Sequence, residues 1–296
     1  MLTMQNTNLQ FTSQPAIGSA MFKALVLPRK GFSAKAGLPP IKASWLGAKA
    51  DAQALQQYEK VLSLTPASVL PVLYPHVMAG GMHMQMLSNK AFPIRLLGSV
   101  HLKNTIKQHK AIKTDQVMDI HSAIGSFRLT SKGLEFDFST QVQVAGELVW
   151  EEVSTYFKAR KFGGKQNPSN ETSFELDSLN NSEETAQWAV PSNRGKQYAR
   201  ITGDYNPIHM SPLLAKLFGL KRDIAHGFGV LAEAINHAGL ANSPDGLQVD
   251  VVFKGPVFLQ SQVTLKKNNT QDENRFDVFC GNNPKPSICG AVFKIV

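Results

Sequence analysis

Asp204, His209, His226 and Gly227 stand close enough along the chain to act together on one substrate. Asp204 and His209 lie five residues apart in Gly203-Asp204-Tyr205-Asn206-Pro207-Ile208-His209, and His226-Gly227 follows seventeen residues after His209. A carboxylate can accept a proton or orient a water, and an imidazole with an ordinary pKa of about 6.5 moves protons near neutral pH. Gly227 opens the apolar run 228–240, which reads as a helix. The first N–H groups of a helix have no acceptor within it and can bind an oxyanion, and the missing Cβ lets a substrate oxygen come close to the Gly227 amide. Such a set suits the making and breaking of bonds beside a carbonyl. Each residue alone has a plainer use: an Asx turn for Asp204, a packed or solvated ring for His209, a cap for Gly227. The joint spacing carries the functional reading.

The elements that position these residues follow from punctuation and periodicity. Gly203 and Asn206-Pro207 end the helix that residues 194–201 begin. After the run 228–240, residues 246–258 read as a strand kinked at Gly255-Pro256, and 262–267, 275–280 and 287–296 as three more strands. The first half shows the same order. Residues from Asp51 onward have helical spacing, Thr65-Pro66 stops them, and 70–87 reads as a buried helix with an irregular start, in spite of Pro75 and Gly80-Gly81. Its four methionines from Met78 to Met86 read as core filling. Beyond Gly98 the period changes to alternation, giving three or four strands with turns at Ser131-Lys132-Gly133 and Ala145-Gly146.

Helix followed by antiparallel strands therefore occurs twice, a tandem duplication with little residue identity. Both halves place a similar string after the helix, at residues 100–106 and 251–257. We divide the chain into an extended N-terminal arm (1–50), a first half (51–161), a polar linker (162–184) and a second half (185–296). No match to Gly203–His209 exists in the first half. Tyr74-Pro75-His76 stands roughly where His226-Gly227 stands in the second, and His76 reads as a cap or hydrogen-bonded helix residue. One half looks catalytic and the other does not.

The string from Gly203 to Phe228 resembles the signature of the MaoC-like dehydratases, the (R)-specific or type-2 enoyl-CoA hydratases. The resemblance implies an α+β tandem hot-dog fold, each half a long helix wrapped by an antiparallel sheet. It also implies reversible syn hydration of a trans-2-enoyl thioester to the (R)-3-hydroxyacyl thioester. Asp204, Asn206, His209 and Gly227 fall where the family has functional residues. Asp204 and His209 would act on one water, with the base left open between them, and the Gly227 N–H would hold the carbonyl oxygen. Asn206, His226 and Phe228 are assigned to substrate binding, Asn206 by orienting the turn or the carboxylate through its amide. Phe228 departs from the Met or Leu common in the family and would reshape the acyl tunnel. The half without the motif would make room for a bulky acyl chain. A hot-dog thioesterase and a non-catalytic acyl-binding protein are the alternatives.

Composition sets the partners. The 296 residues carry a formal net charge of +9 and a hydrophobic fraction of 43%, enough for two modest domains and an anionic partner. The basic residues are scattered and no nucleic-acid motif is present; a ligand bearing several phosphates fits the charge equally well, and the resemblance implies an acyl-CoA or acyl carrier protein thioester. Coenzyme A enters as part of the substrate; no separate cofactor is expected, and no metal, because the histidines lack metal-ligand spacing. A homodimer is compatible with the sequence. Cys280 and Cys289 flank Gly281 to Pro284, as residues on paired strands would, and two cysteines suit a reduced interior. No apolar run approaches the ~20 residues of a membrane helix. The first fifty residues hold no acid, yet four prolines (Pro15, Pro28, Pro39, Pro40) interrupt them, so a cytoplasmic protein is expected rather than one with a transit peptide.

Overall fold

The computed structural model describes residues 7–26, 28–96, 98–160, 162, 174–240, 245–269 and 273–295. The first half contains β1 (Thr7–Phe11), α1 (Gly18–Val26), β2 (Ile41–Ala48), α2 (Ala52–Val61), α3 (Tyr74–Ser88), β3 (Ser99–Gln108), β4 (Met118–Leu129), β5 (Gly133–Val144) and β6 (Glu147–Ala159). The second contains β7 (Glu183–Val190), α4 (Arg194–Thr202), a 3₁₀ turn (Pro207–His209), α5 (Pro212–Leu217), α6 (Gly227–His237), β8 (Leu247–Phe253), β9 (Ser261–Asn269), β10 (Glu273–Cys280) and β11 (Ile288–Lys294).

The strands form one sheet in the order β1-β2-β4-β5-β6-β3-β8-β11-β10-β9-β7. Apart from the added β1, the order from either outer edge to the middle is the same. The run β2-β4-β5-β6-β3 matches β7-β9-β10-β11-β8, so each half is a five-stranded antiparallel sheet around its own helix. This is the α+β tandem hot-dog arrangement. The halves join where β3 runs antiparallel to β8, with Lys103 opposite Val252 and Gln108 opposite Leu247. The two strings at 100–106 and 251–257 do mark these seam strands, although Gly255-Pro256 lies past the end of β8.

Local sequence explains the elements. The Asp51 carboxylate accepts from the Ala54 N–H and caps α2. Pro75 sits in the first turn of α3, where no N–H is needed. That helix buries Tyr74, Val77, Met78, Met82, His83, Met86 and others around most of its circumference, as a helix enclosed by a sheet must. At its far end Arg29 donates to the carbonyls of Leu87 and Asn89 (3.0 and 2.6 Å), which have no acceptor role left in the helix. One hydrophobic cluster runs through both halves, from Ile41 and Trp150 to Leu231 and Val278. Cys280 and Cys289 lie on the neighbouring strands β10 and β11 as free thiols.

Two of the expected boundaries differ from the structure. The stretch 1–50 holds α1 and β2, not only an extended arm, and β2 is a full member of the first sheet, with Trp45 opposite Ile120 of β4. Its alternating burial in Ile41–Ala48 is short and follows two prolines, which hid it among turn residues. Within the linker 162–184, residues 163–173 lie outside the described residues. Residues 174–182 have no regular structure but are anchored: the Leu179 N–H donates to Asp277 (2.8 Å), and Lys103 donates to the Phe174 carbonyl (2.7 Å). Leu176 packs with Val252, Cys289 and Ala291 on the face of the sheet away from the helices. Polar composition concealed the apolar side chains that hold this strap down.

Candidate active site

The chain turns sharply at the C-terminus of α4. Gly203 takes a left-handed conformation (φ 75°), and a Cβ there would press on the Ile17 side chain at 2.9 Å. The next residues form nested Asx turns. The Asp204 carboxylate accepts from the Asn206 N–H (3.1 Å), and the Asn206 side-chain oxygen accepts from the Ile208 N–H (3.5 Å). Asn206 thus holds the turn through its side-chain oxygen and meets the Asp204 carboxylate through its backbone N–H.

His209 closes the 3₁₀ turn and is buried. Its Nδ1–H donates to the Ile224 carbonyl (2.9 Å). A carbonyl can only accept, so this bond fixes the tautomer of the neutral ring and leaves Nε2 bare. Burial lowers the His209 pKa, against the opposing pull of Asp204 and Ile224. His226 lies against it, and its Nε2–H donates to the Asp204 backbone carbonyl (2.9 Å). The His226 ring is held between His209 and Tyr198, with centroids at 3.7 and 4.7 Å. Burial first, and His209 next, pull its pKa down to about 3. His226 therefore positions the Asp204 turn and the His209 ring, a role its assignment to substrate binding did not foresee.

Gly227 is the first residue of α6, and no side chain caps that end. Its amide, like those of Phe228 and Gly229, belongs to the first turn and has no acceptor in the helix. A Cβ at Gly227 would meet the Phe253 ring at 2.9 Å. One side-chain oxygen or nitrogen from each of Asp204, His209 and His226 lies within 4.8 Å of the other two.

These groups open on a cavity of about 480 Å³ that lies between the halves. Asp204, Asn206, His209, His226, Gly227 and Phe228 all line it, so the structure brings every sequence-selected residue to one place. The arm contributes Ile17 and Met21. The first half contributes a wall that sequence reasoning missed, including His76, His83, His101 and Tyr156. His76 is hydrogen-bonded, as read, but to a carboxylate: its Nδ1–H donates to both oxygens of buried Glu152 (3.0 and 2.9 Å). Phe228 stacks on His76 with centroids 3.9 Å apart. His76, His83 and Glu152 form a second set of groups within 4.8 Å of one another. Sequence spacing could not show this second set, because Glu152 lies on β6, far along the chain from the two histidines of α3.

Residues 179–288 match the model of the MaoC like domain family. The second half is thus similar to a MaoC-like domain. The chain is 27% identical to 3-hydroxyacyl-thioester dehydratase X of Mycobacterium tuberculosis over 210 residues, covering 70% of this chain and 73% of the relative. It is 33% identical over 121 residues to the peroxisomal multifunctional enzyme type 2 of Drosophila melanogaster, covering 38% of this chain and 20% of that protein. A crystal structure of HtdX from Mycobacterium tuberculosis superposes with a TM-score of 0.74 at 22% identity, covering 86% of this chain and all of that one (100%). A further Mycobacterium tuberculosis structure with a double hotdog fold gives a TM-score of 0.55 at 9% identity, over 92% of this chain and 96% of its own. No helix among the described residues is long and apolar enough to cross a membrane.

Proposed function

We propose that this MaoC-like protein is a hydro-lyase that reversibly adds water to trans-2-enoyl thioesters, giving (R)-3-hydroxyacyl thioesters. The observation that carries the reading is the bare Nε2 of His209 beside the Asp204 carboxylate, at the free amide end of α6. In the hydration direction, Asp204 and His209 hold one water over C3 of the enoyl group. His209 Nε2 takes a proton from that water, because Nδ1 is committed to Ile224. The oxygen bonds to C3, and the electron pair moves through C2 toward the thioester oxygen. The Gly227 N–H, aided by the positive end of the helix, stabilises the negative charge there. The same water-binding pair returns a proton to C2 on the same face, so the addition is syn and no other reactant is consumed.

The acyl chain runs from this point into the cavity between the halves. Exposed Lys254 lines the cavity edge and suits a phosphate of coenzyme A or of an acyl carrier protein. The free, buried cysteines fit the reduced interior of the cytoplasm.

The test is a survey of purified protein against crotonyl-CoA and longer trans-2-enoyl-CoAs. The expected result is loss of enoyl absorbance without release of free thiol, and an (R)-3-hydroxyacyl product. Thiol release in place of enoyl loss would assign a thioesterase instead, and no turnover of any chain length would leave an acyl-binding protein.

A further inference from the structure

The half without the catalytic motif has a polar wall where an alkyl tunnel would need none. The Glu152 side chain is fully buried (0% exposed) yet kept as a carboxylate. Burial alone would raise its pKa, but His76, His83 and Asn104 outweigh burial and hold it at about 2. The Asn104 side-chain N–H donates to it at 3.0 Å. With Nδ1 given to Glu152, His76 turns its other nitrogen toward the cavity, and Nε2 has no hydrogen-bond partner among the described residues. A buried carboxylate is costly to desolvate and, even with partners, adds little to stability over apolar packing. Burying a charge in order to aim an imidazole at a cavity is the pattern of a working site.

Two more groups share this wall. His101 is hydrogen-bonded through its ring to the Lys103 backbone, and its Nε2 is buried out of reach of the cavity, with no partner among the described residues. It stacks between Tyr156 and Phe228, with centroids at 4.7 and 5.1 Å. Tyr156 faces both polar clusters, since Glu152 and Asp204 each act on its hydroxyl after burial, all raising its pKa. That hydroxyl has no hydrogen bond to another described residue. The wall thus presents an imidazole acceptor at His76 and a phenol donor at Tyr156, while the His101 ring packs behind them. Methylene groups placed against it would desolvate both without return. A hydroxyl donates one bond and accepts another, and answers both.

We propose that His76 and Tyr156 form a subsite for a hydroxyl group carried on the acyl chain beyond C3, so that the preferred substrates are hydroxylated acyl thioesters and not plain alkyl ones. This rests on reading the Asp204–His209 site as the place where the thioester reacts. Glu152 acts through His76 as a positioning residue, and the Phe228 ring, stacked on both His76 and His101, fixes the wall beside the reacting end.

Calorimetric binding of saturated acyl-CoAs tests the subsite without any turnover. The panel is one chain length, unsubstituted or with a single hydroxyl at successive carbons beyond C3. The unmodified protein should bind at least one hydroxylated chain about ten- to a hundredfold tighter than the plain chain. Tyr156→Phe keeps the stacked ring and removes the donor. His76→Phe with Glu152→Gln removes the buried pair together, so no lone carboxylate is left to unfold the protein. Each variant should reduce the hydroxyl preference to within about threefold, through weaker binding of the hydroxylated chain. Equal affinity for all chains in the unmodified protein, or no binding of any, overturns the proposal even if neither variant folds. A preference that survives in both variants also overturns it. Crotonyl-CoA, assayed with the unmodified protein, separates the two readings. Turnover without a hydroxyl preference rejects the subsite alone, and a preference without turnover rejects the hydratase alone.

Discussion

The imidazoles of His209 and His226 lie face to face, with centroids 3.7 Å apart and planes inclined by 25°. Two protonated rings at that separation would repel strongly in a buried site. His226 yields: its Nε2–H is tied to the Asp204 carbonyl and its pKa falls to about 3. The single mobile proton of the pair therefore belongs to His209.

The acidic limb of the pH profile follows. On the proposed mechanism hydration needs neutral His209, whose pKa burial lowers from the ordinary 6.5. Activity on crotonyl-CoA, followed as kcat/KM, should persist below pH 6.5 and then fall as His209 takes up a proton. A limb that falls above pH 6.5 would remove His209 from the role of base.

Asp204→Asn and His209→Ala should each lower turnover by ~10²–10⁴-fold, the range for losing a positioned acid or base. The double variant should lose little more than either alone, because both groups serve one water. Circular dichroism should show intact folding. Unchanged hydration by folded Asp204→Asn would place the reaction elsewhere.

Stability should drop in acid. His83, His101 and His226 are buried with pKa values lowered to about 4, 3 and 3. Their unfolded forms bind protons near pH 6.5 while the folded protein does not. The stability they give is complete above 6.5 and is lost progressively below it, by about 1.4 kcal/mol for every tenfold weakening of proton binding in the folded state. Glu233 has the opposite sign: burial raises its pKa to about 7, so its contribution is present below 4.5 and is lost through 7. Three groups outweigh one, so the melting temperature should climb from pH 4.5 to 6.5. A flat profile across that range would mean the histidines are solvated.

Gly227→Ala separates packing from chemistry. The added Cβ meets the Phe253 ring at 2.9 Å, and such overpacking costs ~1–3 kcal/mol. Phe253→Leu in the same chain should restore most of that stability, read by denaturant unfolding. A Gly227→Ala protein as stable as the parent would show that Phe253 moves aside freely.

What the sequence revealed was local. The motif 203–209, the turns at Ser131-Lys132-Gly133 and Ala145-Gly146, and the change from helical to alternating period sit in contiguous stretches, where one residue type or one spacing decides. The wall of the first half could not be read this way. Glu152 and Tyr156 lie in a strand whose alternation looks ordinary, and only the pairing of β6 with β3 and the packing of α3 give Glu152 its imidazole. The strap at 174–182 shows the same limit, since Leu176 is apolar in a polar stretch and its partners come from β8 and β11.

The seam between β3 and β8 bears on why only one half carries the motif. The two strands hold equivalent places in the duplicated plan, so the first turns of α3 and α6 face each other across a pseudo-twofold axis, as the His76–Phe228 stack shows. A second copy of the motif, set before α3, would open on the same cavity and contend for the same chain from the other side. Two reactive ends cannot share one passage. On the proposed reading, the repeat with the motif performs the chemistry and its sister is free to inspect what is presented to it.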